Sequence, residues 1–233
     1  QSEFLDEALE AVDENCESVC DFLEKVATRE VAEYAVLCPI ANTYIEHDIE
    51  LGPVKLTTLT REHLQKWTAN APEEHRDALL NRFKPLQGLA AGSISTSDIG
   101  RAKELAFELT EEAIALVRFF SGGALVASSV TEMVLYGREP QNHSFVVTEV
   151  ANSDVFHIQH GMLFGDQSWT IRKAKIAEMF QMGLQHLVDW SFGAEPTPFQ
   201  SDLLKSIRLI SKAAVRRNVE DKLLYVLSAV ESF

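Results

Sequence analysis

The sequence predicts an α+β fold that is helix-rich, with a small antiparallel sheet region followed by a C-terminal helical segment. Three observations predict it. Apolar residues recur at steps of three and four in several long segments, the spacing of an amphipathic helix. Stretches rich in β-branched and aromatic residues fall within residues 33–59 and 124–164. Beyond Thr170 the helical spacing continues alone to the end.

Taken in order, Leu5, Leu9, Val12, Cys16, Val19, Leu23 and Val26 form one stripe, so residues 3–26 are expected to be a helix with a strongly acidic opposite face. Residues 34–40 and 42–49 are β-prone, Leu51-Gly52-Pro53 is turn material, and residues 54–59 alternate as a half-buried strand does. Thr60 caps a short helix over residues 61–69, and another follows over 73–83. Residues 85–97 are rich in Gly, Ala and Ser and read as a connection. Asp98 or Ser97 caps a helix reaching about Phe120, stopped by Gly122-Gly123. Residues 124–136, 144–150 and 155–160 read as strands of an antiparallel meander. Helices are expected over residues 171–191, 198–217 and 219–233, with Thr197 capping the second.

The chain has 233 residues, of which 46% are hydrophobic, enough for a packed core without disulfides or a structural metal. No apolar run approaches the roughly 18 residues that span a bilayer, so no membrane partner is expected. Three cysteines and an acidic beginning without a secretory pattern point to the cytoplasm. The net charge of −14 is local: residues 1–50 hold 14 acids and two bases. Such a chain repels nucleic acid as a whole, an argument that weakens for its nearly neutral remainder.

Standard catalytic motifs are absent from the sequence, and no cofactor or metal is expected. Cys16 and Cys20 lack partners for a zinc pattern. His157 and His160 fall three apart on an expected strand, which points them to opposite faces. Arg138 and His143 flank Pro140 in an expected hairpin turn. More informative are Lys205, Arg208, Lys212 and Arg216, which recur at steps of three, four and four and make one basic stripe on a helix. A basic stripe on an acidic chain is a candidate contact for RNA phosphates. The apolar set expected to be buried on that helix is Leu203, Ile207, Ile210 and Ala214. On the last helix Leu223, Val226, Leu227 and Val230 make the apolar face. A helix ending at Phe233 on such a stripe is expected to dock onto polypeptide beyond that residue.

The run 199–208, FQSDLLKSIR, and the run 220–233, EDKLLYVLSAVESF, resemble the opening two helices of an ApeA-like HEPN domain. In that group an Asp-x-Leu-Leu helix ends in Ala-Leu-Glu-Ser-Leu, where Val230 and Phe233 here replace the two leucines. Ala113 to Phe120 and Leu51-Gly52-Pro53-Val54 are similar to the region preceding such domains. The resemblance implies an all-α dimeric unit over residues 197–233 and onward, within a helical region spanning 166–233 and following an α+β domain over 1–165. It implies a homodimer through the helical C-terminal region and a metal-independent endoribonuclease of bacterial defence or toxin type. The catalytic Arg-x(4–6)-His of the family follows the matched helices, and no histidine follows His186. Glu231 corresponds to the acid that orients that pair, so it is the catalytic candidate. The alternative expectation is a non-catalytic interaction module, with the helix over residues 3–26 binding a protein partner.

Overall fold

The computed structural model describes residues 31–41, 43–58, 60, 62–63, 88–126, 133–135, 146–149, 156–158, 169–193, 195–216 and 218–232. The expected acidic helix over 3–26, with Cys16 and Cys20, lies outside them, as do most of residues 61–83 and the Arg138–His143 turn.

The α+β class holds. Nine strands are described: β1 Ala32–Ala41, β2 Thr43–Ile45, β3 Ile49–Leu51, β4 Val54–Thr58, β5 Gly88–Thr96, β6 Val134–Leu135, β7 Val146–Glu149, β8 Phe156–Ile158 and β9 Trp169–Ile171. The five described helices are α1 Ile99–Phe119, α2 Lys173–Gln181, α3 Leu184–Phe192, α4 Pro198–Ala214 and α5 Val219–Glu231. The main sheet runs β3-β4-β5-β1-β7-β8 with antiparallel neighbours, and β6 also pairs with β1. β2 and β9 form a separate parallel pair.

β1 is the axis of this sheet. Val36, Leu37, Cys38 and Ile40 are all buried, so the strand is covered on both faces and its apolar residues run on rather than alternate. Burial pushes the Cys38 thiol up to about 12, and the nearby Thr110 hydroxyl offsets only part of that shift. The turn at Gly52-Pro53 joins β3 to β4 as expected, and the Asp48 carboxylate meets Lys55 Nζ at 2.6 Å across that hairpin.

Residues 85–97 are not a connection. Most of that segment is β5, a nine-residue strand between β4 and β1. The Gly and Ala content reflects crowding around the strand. A Cβ on Gly88 would lie 2.9 Å from the Thr43 carbonyl oxygen, and one on Gly92 would lie 3.8 Å from Ala106 Cβ. Ala102, Ala106 and Ala113 give α1 a smooth buried face that packs against the sheet. Asp98 caps α1 by accepting from the Arg101 amide at 2.6 Å, as the sequence suggests.

The expected meander over 124–164 takes a different form. Residues 124–126 are turn rather than strand, and β6 and β7 each pair with β1. β7 and β8 do form an antiparallel hairpin. The single helix expected over 171–191 is two, because Gly183 adopts φ 103, a left-handed conformation in which a side chain is strained. Residues 169–171 belong to β9. The first amide of α2 donates to Glu46 Oε2 at 2.7 Å, so a carboxylate from a distant segment stands at that helix N-terminus.

α4 opens with Pro198 after Thr197, which forms a capping box with Gln200. Asn218 caps α5 by accepting from the Glu220 amide at 2.8 Å. The two helices pack as a hairpin. Ser206 Oγ lies 3.0 Å from the Ala229 carbonyl oxygen and 2.7 Å from Ser232 Oγ.

Candidate functional site

Helices α1 and α4 meet at a charged junction that joins the sheet-bearing body to the C-terminal hairpin. α1 and α4 run in the same direction. Glu112 on α1 meets Arg208 on α4, and Ala124, beyond the end of α1, packs with Ala213 and Ala214 near the end of α4.

Arg208 holds Glu112 with two bonds, Nε to Oε2 at 2.7 Å and Nη2 to Oε1 at 3.0 Å. Ser191 of α3 donates its hydroxyl to the same carboxylate. One acid therefore ties three helices, in the forked geometry that suits a guanidinium best.

A groove of about 430 Å³ opens beside this clamp. Glu108, Glu111, Glu112 and Arg118 line it from α1; Arg208, Ser211 and Lys212 line it from α4. Arg118 is 8% exposed, and its Nε has no hydrogen-bond partner. Burial pulls the guanidinium down to about 10, and the Glu111 charge two turns away restores only part. The Ser211 hydroxyl is likewise buried and unpartnered. A recess with two unmet buried donors and both signs of charge is built to receive polar atoms.

The basic stripe expected on α4 divides in the structure. Arg208 is engaged by Glu112, and Arg216 lies 5.4 Å over the Tyr225 ring. Lys205, Arg208 and Lys212 are exposed, and Arg216 is half-buried. Glu231 is exposed on the last residue of α5, and no hydrogen bond or ion pair reaches it among the described residues. His157 falls in β8, and His160 lies outside the described residues. Among the described residues no group of acids, histidines and cysteines is placed to hold a metal. No described helix is long and apolar enough to cross a membrane.

The orientation of α5 leaves most of its apolar face outward. Leu223, Leu227 and Val230 are 55%, 52% and 67% exposed, Leu224 is exposed beside them, and Val226 is half-buried. The inward face is Lys222, Tyr225, Val226 and Ala229. Lys222 is the anchor: Nζ donates to the carbonyls of Gly123 and Val126, each at 2.8 Å. Desolvation pulls its pKa below the ordinary lysine value. On α4 the interior takes Leu204, Ser206 and Ser211 in addition to the expected Ile207 and Ala214, while Leu203 and Ile210 are half-buried.

No family model, curated protein or solved structure matches this chain. The site is therefore read from its own geometry. Arg118, Ser211 and Glu112 belong to no motif in the sequence. Arg118 had one signal: it is a lone cation inside the apolar run 113–120, on the buried side of a helix.

Proposed function

We propose that this chain is the sensing and scaffold part of a HEPN-type protein, a bacterial RNA-cleaving defence or toxin protein of the cytoplasm. In this reading α4 and α5 are the first hairpin of the all-helical nuclease unit. The observation that carries it is the outward apolar stripe of Leu223, Leu227 and Val230 on a helix whose inward face is fixed by Lys222 and Ser206. Those residues sit at i, i+4 and i+7, the spacing with which one helix covers another. Covering a leucine fully stabilises by about 1.5–3 kcal/mol, so the stripe is a strong platform for further helices.

The stripe's partners in this reading are the remaining helices of the nuclease unit and a second copy of it. The catalytic Arg-x(4–6)-His belongs to those further helices, with Glu231 near it as the orienting acid. Lys205, Arg208, Lys212 and Arg216 lie on the RNA side. Scission then needs no metal: the arginine stabilises charge on the phosphate, and the histidine moves the proton of the attacking 2′-hydroxyl.

The test is the coding sequence downstream of residue 233 and the activity of its product. An Arg-x(4–6)-His within the next helix pair is expected, with RNA cleavage that survives EDTA and is lost on His→Ala. A downstream sequence without that motif, or an EDTA-sensitive cleavage, overturns the reading.

A further inference from the structure

We infer that the groove between α1 and α4 binds a small zwitterionic molecule, its oxyanion head held by Arg118, Ser211 and Lys212 and its ammonium end facing Glu111 and Glu108. This inference does not rest on the HEPN reading.

The head site follows from what is left unmet inside the fold. Arg118 is 8% exposed, and its Nε has no partner. A guanidinium desolvated without an acceptor destabilises a fold unless something supplies one. Ser211, on the facing helix and lining the same groove, is buried with an unpartnered hydroxyl. Lys212 is exposed on the adjoining position and adds a mobile positive charge. A planar fork, a hydroxyl and an ammonium make a donor set for a phosphoryl or carboxylate group.

Charge selects the rest of the ligand. A simple anion would be repelled by the glutamates that share the lining, whereas a molecule carrying both signs is complemented by them. Glu111 and Arg118 are seven residues apart on one helix, about 10 Å along its axis. Helical side chains lean toward the N-terminus, which swings Arg118 back toward Glu111. The gap then matches a molecule of a few heavy atoms between its charges. The groove's volume, about 430 Å³, is at the small end of metabolite sites. RNA fits poorly, because the glutamates that share the lining repel a polyanion.

The experiment uses the chain as it stands, with O-phosphoethanolamine and inorganic phosphate as probes, read by calorimetry and by thermal shift. O-phosphoethanolamine is expected to bind saturably and at least about ten-fold more tightly than inorganic phosphate, the scale of one charge-assisted contact. Arg118→Met is expected to weaken both probes by about ten-fold or more without lowering Tm, since it removes a buried unmatched charge. Glu111→Gln should erase the preference for the zwitterion. Should Arg118→Met fail to fold, Lys212→Ala, at an exposed position, is the substitute and must still weaken binding several-fold. No saturable binding at about 10 mM probe, equal affinity for the two probes, or affinity unmoved by these substitutions overturns the inference. So does displacement of O-phosphoethanolamine by a single-stranded RNA in a manner that Lys205→Ala abolishes.

Discussion

Lys222 is 3% exposed, and its ammonium donates to two backbone carbonyls just past α1, so a charged side chain positions a whole helix. Lys222→Ala removes the donor and leaves both carbonyls unmet, with an expected loss of about 2 kcal/mol. Urea denaturation checks this, and an unchanged midpoint would place the anchor elsewhere. Cys38 gives a second residue-scale expectation. Its thiol rises from an ordinary 9.0 to about 12 on burial. A raised folded pKa contributes stability that is complete below pH 9 and lost as pH climbs from 9 toward 12. Peptide-resolved alkylation at pH 8 should leave Cys38 unmodified in the native chain and label it fully in urea; native labelling at the rate of a free thiol would contradict its burial.

At the scale of elements, β5 shows what periodicity misses. Its glycines and alanines look like a linker because small residues carry no hydrophobic signal. Here Gly88 is small because the Thr43 backbone presses on it, whereas Gly92 has room for an ordinary contact with α1. The prediction is a contrast within one strand. Gly88→Ala meets a backbone oxygen at 2.9 Å and should cost about 2 kcal/mol, whereas Gly92→Ala, with 3.8 Å to Ala106, should cost well under 1. Thermal melts of the two variants decide it, and equal losses would mean the crowding is not local. The same distinction separates what was legible from what was not. Caps at Asp98 and Thr197 are local chemistry and stand in the structure where the sequence puts them. The face of α5 is a competition between two stripes. Leu223, Leu227 and Val230 are more apolar, yet Lys222, Tyr225 and Ala229 win the interior because Lys222 finds two acceptors and Ala229 lets α4 approach. No single-sequence pattern contains that information. Nor does the stripe Lys205, Arg208, Lys212 and Arg216 disclose that Glu112 and Tyr225 engage two of its four members.

Across the whole molecule, charge does its work at a few joints. Glu112 closes α1, α3 and α4 on one carboxylate, and Asp48 braces the β3–β4 hairpin. Partial burial would raise the Asp48 pKa, but hydrogen bonds from Lys55 and Thr57 outweigh it and hold the carboxyl below its usual 3.8. A depressed folded pKa contributes stability that is present above 3.8 and lost as pH falls below it. Asp48→Asn should therefore lower Tm at pH 7 and make the decline between pH 5 and 3 shallower, as scanning calorimetry would show; a parallel decline would remove Asp48 from the acid response. The sheet adds a consequence of its own. β1 is bonded to β5 along one edge and to β6 and β7 along the other, so its peptide groups have partners on both sides and no water lane between them. In deuterium oxide, the amide protons of Val36 and Leu37 should be among the last to leave, departing only when the entire molecule opens.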